Sequence, residues 1–431
     1  MRALLLCAIT VLATAAAAAQ TTCTPAAEAN VLRNVHAAQA DALAIEATDM
    51  DSGVPNRVAP VLIRLKQQLA LVADIAITCA PPAATVAELQ VRLDELLQQS
   101  APGMPEPTPA ANEKDEDKPR KGTYGNRVSA TVTALSDTPR LLEVDLASSE
   151  ACGSDTQLLV YEQKNGQQTN GHWQRALRAS STFDGSDDVG QSWGDFFLAK
   201  VVIPDSAHPE DWRAILAHGT PWCTSRFSNF GLALLAPDPK TAEARVVWQT
   251  QREYSRGDFD PRLKASSDTF ELRLNADEMS FNENAFERLV VYRYRVHDDK
   301  VTRLEPLASN SRGFVEEWLS MPWQEALDQS AASGLDSLKQ VHEQNSNPAN
   351  QNEYTAWTAG PVRACAAAAR FQVAFDSQRN IIVPGKPGGD QDAPIHYYFQ
   401  IRQVDNGYQM LSVSRTPDPT CTGPDLMRKA K

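Results

Sequence analysis

Aromatic side chains are missing from residues 20 to 123, whereas all eight tryptophans lie between Trp173 and Trp357. A shift that sharp marks separate modules. Beyond the N-terminal segment no stretch holds the roughly 20 apolar residues that a membrane helix needs, which excludes a transmembrane segment in the mature chain. No His-Glu-x-x-His, Cys-x-x-Cys or dinucleotide glycine fingerprint is present, so the usual zinc, redox and Rossmann readings fall away. Positive charge is short too. A net charge of −13 argues against nucleic acid as a partner, because such binders concentrate Lys and Arg to displace counterions.

Residues 1–19 carry the marks of a secretory signal: Arg2, an apolar run from Leu4 to Ala16, and the small residues Ala17-Ala18-Ala19 before Gln20. The expected location is periplasmic or extracellular, and the absence of an Asn-x-Ser/Thr acceptor suits a bacterial source. Removing Cys7 with the signal leaves Cys23, Cys79, Cys152, Cys223, Cys365 and Cys421. An even number in an exported chain points to disulfides.

Residues 20–100 read as three helices. Val31, Val35 and Ala38 start one stripe; Val61, Leu65, Leu69, Val72 and Ile75 form a second; Val86, Leu89, Leu93 and Leu96 form a third. Thr85 and Glu88 have capping-box spacing. Cys23 precedes the first helix and Cys79 follows the second, so an antiparallel hairpin brings them together. Residues 101–123 form a flexible linker: Met104-Pro-Glu-Pro-Thr-Pro109 and then a charged run to Lys121 that has no apolar face.

A three-strand pattern recurs in residues 124–313 and once more beyond them. Its copies are Leu142–Ala147, Gln157–Glu162 and Trp173–Ala179; Arg213–His218, Gly231–Ala236 and Arg245–Gln251; Phe270–Leu274, Arg288–Tyr294 and Val301–Leu307. A looser copy is Phe371–Phe375, Tyr397–Arg402 and Tyr408–Ser414. Phe196–Ile203 reads as a strand buried on both faces. Such antiparallel repeats suggest propeller blades, with a β-sandwich as the alternative. Residues 314–352 read as a helical insert, with Trp318 and Trp323 packing its helices. Residues 353–431 form a C-terminal β unit, with Cys365 before its first strong strand and Cys421 after its last. The fold class is mainly β with helical modules.

Ser186-Asp-Asp188-Val-Gly190-Gln-Ser192-Trp193 resembles the Asp-box turn of sialidase-like β-propellers, with Ser192 where Thr is usual. The resemblance implies a structural turn between blade strands and no catalytic role. Gly190-Gln-Ser192-Trp-Gly194 spells a nucleophile elbow but lacks the strand before and the helix after that the elbow needs. Asp184, Asp187 and Asp188 supply hard oxygens that suit calcium, though acidic loops are commonly just solvated; no other cofactor is expected. Cys223 beside His218 is either an acyl-transfer nucleophile with its base or, as the counterpart of Cys152 in the preceding repeat, a disulfide cysteine.

The leading expectation is a non-catalytic binding or scaffold protein for a protein or glycan ligand, held by the loop-borne groups His218, Trp222, Arg226 and Trp193. The alternative is a secreted hydrolase of glycan or peptide that uses Cys223–His218 or an acidic pair. Mass-spectrometric mapping of the unreduced chain is expected to show bridges 23–79, 152–223 and 365–421 with no free thiol; a free Cys223 would turn the balance toward the hydrolase.

Overall fold

A computed structural model describes residues 23–46, 57–101, 103, 121–150, 154–163, 171–180, 197–205, 207–219, 227–238, 240–255, 261–276, 288–304, 308, 310–346, 353–381, 390–405 and 407–427. Most of the expected linker lies outside these residues. The chain divides into two compact units, Met1–Gly194 with Leu235–Val246, and Asp195–Leu234 with Val247–Lys431.

The first unit opens with α1 (Pro25–Leu43), α2 (Ala59–Thr78) and α3 (Val86–Ser100). Their starts are local chemistry. The Thr24 hydroxyl accepts from the Ala27 N–H, and Pro25 occupies the first turn, where its missing donor costs nothing. Thr85 and Glu88 cap each other in both directions, and these hydrogen bonds hold the Glu88 carboxyl below its ordinary value. A disulfide joins Cys23 to Cys79 across 56 residues, closing the α1–α2 hairpin. On a chain-entropy account a loop of that length stabilises the fold by about 4 kcal/mol.

Four strands then form a simple meander, β1 (Val128–Asp137), β2 (Arg140–Ser149), β3 (Ser154–Gln163) and β4 (Trp173–Ala179). Leu142, Val144 and Leu146 alternate along β2 and lie opposite Tyr161, Leu159 and Gln157 of β3. Val35, Leu65, Leu69, Val72, Leu89 and Leu93 of the helices join this face in one core. The aliphatic helices thus gain Tyr161 and Trp173 as the large rings that their own sequence lacks.

Charges inside this core are paired. Lys66 of α2 meets Asp155 of β3 at 2.9 Å, with side chains 2% and 1% exposed. Asp74 accepts from the Tyr161 hydroxyl at 2.9 Å and from Arg175 at 2.8 Å. Burial pushes its carboxyl up, against the pull of Arg175 and then of Tyr161. The free edge of β1 is closed by one side chain: Gln90 of α3 accepts from the Val132 N–H at 2.7 Å and donates to the Ala130 carbonyl at 3.1 Å. That amide supplies the pairing an edge strand would otherwise offer to another chain.

The meander recurs in the rest of the chain. Sheet two is β5 (Phe197–Val202), β6 (Arg213–Gly219), β7 (Phe227–Pro237) and β8 (Ala244–Ser255); sheet three is β9 (Arg262–Ser266), β10 (Thr269–Ala276), β11 (Arg288–His297) and β12 (Lys300–Arg303). Sheet four is β13 (Glu353–Ala364), β14 (Arg370–Ile381), β16 (Ile395–Val404) and β17 (Gly407–Ser414), with the short β15 (Asp390–Gln391) beside β14. Each three-strand repeat in the sequence is therefore part of a larger sheet, four-stranded for the first three copies and five-stranded for the looser one. The additional strand precedes it in the chain and forms one edge. A sandwich is built by Greek-key connections; here the main strands of each sheet are consecutive hairpin-like neighbours, the strand pattern of propeller blades. Strand β5 is not buried on both faces as expected, since Lys200 is exposed.

Helices α4 (Ser311–Ser320), α5 (Trp323–Asp328) and α6 (Leu335–Ser346) form the insert. Phe314, Val315, Trp318 and Leu319 pack on Trp357, Val373, Phe375 and Phe399 of sheet four. Arg303 at the end of β12 meets Glu317 at 2.6 Å and Glu325 at 3.4 Å, and its guanidinium lies 4.9 Å from the Tyr292 ring centre. The insert is thereby tied to sheet three as well as to sheet four. Cys365 and Cys421 are bonded, again across 56 residues.

Replacing Lys66 by Met should destabilise the protein by about 3 kcal/mol, because Asp155 would be left buried without its cation. The double variant with Asp155→Leu should recover most of that loss, and denaturant titration of the three chains measures both effects.

Candidate functional site

Of the groups expected to bind a ligand, Trp193, Trp222 and Arg226 lie outside the described residues, as do Asp184, Asp187, Asp188, Cys152 and Cys223. His218 lies inside, and it is not loop-borne. It sits within β6 at 1% exposure, with its ring over Gly231 of the neighbouring strand. A Cβ at residue 231 would come within 2.3 Å of that ring. The imidazole occupies the space a side chain would take, so packing accounts for His218 and for the glycine together. The strands flanking the Asp-box stretch, β4 and β5, belong to different sheets. The stretch itself lies outside the described residues. Among the described residues no group of three His, Cys, Asp or Glu side chains is placed to hold a metal ion.

Two other sites carry chemistry. The first is a pair of carboxyls on β2. In Leu142-Glu-Val-Asp-Leu146 the alternation that turns the three apolar residues to the helices turns Glu143 and Asp145 to the other face. Their cross-strand neighbours on β1 are Thr133 and Thr131, both exposed. On β3 they are Val160 and Leu158, both fully buried. The pair thus straddles the line between solvent and interior. Burial, then the charge of Glu143 and a hydrogen bond to it, push the Asp145 carboxyl up to about 8. Asp145 therefore keeps its proton at neutral pH.

The second is a surface groove of about 940 Å³ beside α5 and α6. Trp323, Asp336, Lys339, Gln340, Glu343 and Gln344 line it, and the buried His342 lies at its base. Trp323 is partly exposed, although it was expected in the core. Its ring is braced edge-on by Trp318 at 6.3 Å and by His342 at 5.4 Å. Glu343 pairs with Lys339 at 3.5 Å, one turn back on α6, and Gln344 accepts from the Tyr397 hydroxyl at 3.0 Å. A rigid indole flanked by amides and paired charges suits a ligand with both an apolar face and hydrogen-bonding groups.

No protein-family model and no curated protein matches the sequence. Among solved structures, similarity is found to a GH93 alpha-L-arabinofuranosidase of Fusarium graminearum in complex with arabinobiose. The match has a TM-score of 0.25 and 10% identity, over 65% of this chain and 65% of that one. A levansucrase from Gluconacetobacter diazotrophicus matches with a TM-score of 0.24 and 9% identity, over 69% and 64%. The chain therefore spans a little less than two thirds of either structure's length. At these scores neither likeness bears on what this chain does.

The carboxyl pair was missed in the sequence although its signal was there. Two acids two residues apart in an apolar alternation read as a solvated strand face, and only the burial of Leu158 and Val160 beside them changes that reading. Raising the Asp145 carboxyl from its ordinary 3.8 to about 8 makes the fold favour the protonated form. Stability is then fully present below the ordinary value and falls as pH rises toward 8. Asp145→Asn should flatten that decline in thermal melts taken across this range, and an unchanged slope would show that Asp145 is ionised.

Proposed function

We propose that this is an exported, non-catalytic binding protein that takes a glycan or peptide ligand along the α5–α6 groove. The observation that supports this reading is Trp323, a partly exposed indole braced by two buried rings. An aromatic group pre-set in this way offers large contact area with little ordering cost, which is what binding hot spots share. The buried charges of the insert, by contrast, are engaged with one another: Arg303 with Glu317 and Glu325. The two disulfides among the described residues fit an oxidising compartment.

A second reading, a hydrolase of glycan or peptide, is favoured by the carboxyl pair. A carboxyl that keeps its proton at neutral pH beside a second carboxyl group suits general acid–base chemistry. The two readings separate experimentally. Under the first, Trp323→Ala should weaken binding to immobilised polysaccharides or peptides at least about tenfold, as loss of a hot-spot aromatic does, while circular dichroism stays unchanged. Glu143→Gln should leave that binding intact. Turnover of any such substrate by the native chain that is lost in both Glu143→Gln and Asp145→Asn would overturn the first reading and establish the second.

A further inference from the structure

Sheet three has two unlike faces. Phe270, Leu272, Tyr292 and Tyr294 lie in an apolar core. The residues that alternate with them face the other way, and they are basic: Arg262 and Lys264 on β9, Arg273 on β10, Arg293 and Arg295 on β11. The strands of this sheet hold Glu271 as their only acid, although acids outnumber bases 54 to 41 in the whole chain. Register draws the charges together. Arg273 stands directly opposite Arg262, and Glu271 directly opposite both Lys264 and Arg293. Like charges opposed across a ladder weaken a sheet, so folding alone does not account for placing Arg262 and Arg273 together.

Glu271 is a clamp within this cluster. Its carboxylate accepts from the Arg273 Nε at 2.6 Å and from the Arg293 Nη2 and Nε at 2.6 and 3.0 Å. The hydrogen bond from Arg273, then that from Arg293, holds its carboxyl below the ordinary value in spite of partial burial. The clamp fixes both guanidiniums, and it shows what they fit, because a planar fork matches a carboxylate. Glu271 is 16% exposed, whereas Arg273 and Arg293 are 46% and 41% exposed. A guanidinium has five N–H groups. Glu271 takes one from Arg273 and two from Arg293, so both have donors for an anion arriving from solvent. Lys264 is exposed on the neighbouring strand, and Arg295 extends the patch to Asp268 at 3.4 Å. One carboxylate cannot balance Lys264, Arg273 and Arg293 around it.

The kind of anion follows from the rest of the face. Strands β10 and β11 are inner strands, paired on both sides, so a peptide cannot add to them as a further strand. The outward positions beside the arginines are Thr269, Val291 and Thr302, which bring hydroxyls and no aromatic anchor. A partner suited to them carries repeated carboxylates and hydroxyls along its length. We propose that the outer face of sheet three is a docking surface for a carboxylated polysaccharide, whose uronate groups are taken by Arg273 and Arg293 and flanked by Arg262, Lys264 and Arg295. The net charge of −13 disfavours a polyanion elsewhere on the chain. This surface does not depend on the α5–α6 groove.

The test is calorimetric titration of the full chain with polygalacturonate. The native chain should bind it, with affinity falling at least about tenfold between about 50 and 200 mM salt, and should not bind the fully methyl-esterified polymer, which lacks the charge. Lys264→Gln combined with Arg295→Gln, both exposed and outside the clamp, should weaken binding about tenfold with circular dichroism unchanged. Arg293→Lys, which keeps the charge but loses the fork, should weaken it about threefold. Trp323→Ala should leave it unaltered. Equal binding of the esterified polymer, unaltered binding in either basic-face variant, or no binding at all overturns the proposal. Tighter binding of poly-L-glutamate or of DNA also overturns it, in favour of an acidic peptide or a nucleic acid. Loss of binding in Trp323→Ala overturns it as well, by placing the polymer in the groove.

Discussion

Charge buried between helix and sheet is the constraint on which both units depend. Lys66 and Asp155 in the first unit, and Arg303 with Glu317 and Glu325 in the second, sit where water does not reach. Such pairs gain little over well-packed apolar residues, but each is costly to break because the survivor stays charged in a low dielectric. Their effect is to fix which helix face meets which strand. An aliphatic stripe can slide along a sheet by a residue or a turn and lose little; a lysine that must meet one aspartate cannot. Register in each unit is therefore set by a few ionic contacts laid over a permissive apolar core.

The helices and sheets need each other for a second reason. The N-terminal helices hold no aromatic residue, and their core is completed by Tyr161 and Trp173 from the first sheet. The insert contributes Trp318 and Phe314 to a core in which Trp357, Phe375 and Phe399 come from the fourth. In both places a sheet with one apolar face is covered by helices too short to bury themselves. Disulfides then brace each assembly, joining the ends of two helices in one case and the turn between β13 and β14 to the segment after β17 in the other.

How much of this could be read from the sequence depended on burial. The helices with their caps, and the inner strands of each sheet, announced themselves through apolar period and turn residues. The first strand of three of the sheets did not. Strand β1, Val-Ser-Ala-Thr-Val-Thr-Ala-Leu-Ser-Asp, is rich in small hydroxyl residues, and β9 is only five residues long. Strand β13 carries Gly360-Pro361, which reads as a break. The structure absorbs that break as a bulge between Ala359 and Val362, where Gly360 passes so close to Ala374 that a Cβ would lie 2.9 Å from its methyl. Each of these is an edge strand, which needs apolar residues on one face at most and can spare a ladder donor. The candidate sites were less legible still. Glu143, Asp145 and Trp323 owe their character to what covers or uncovers them, and neither burial nor exposure is written at those positions.

The tie between Lys66 and Asp155 also orders events in time. Its two ends lie 89 positions apart in the chain, and the partners of Asp74, Tyr161 and Arg175, lie 87 and 101 positions from it. A chain emerging from its N-terminus completes α2 long before β3 and β4 exist to neutralise it. Until they arrive, the hairpin presents an uncovered aliphatic face with a lysine and an aspartate set into it. Those charges keep the waiting segment hydrated, and they enter the interior only when both strands dock together. Long-range closure of this kind is slow, and here the same two side chains that guard the unfinished helix become the latch of the finished one.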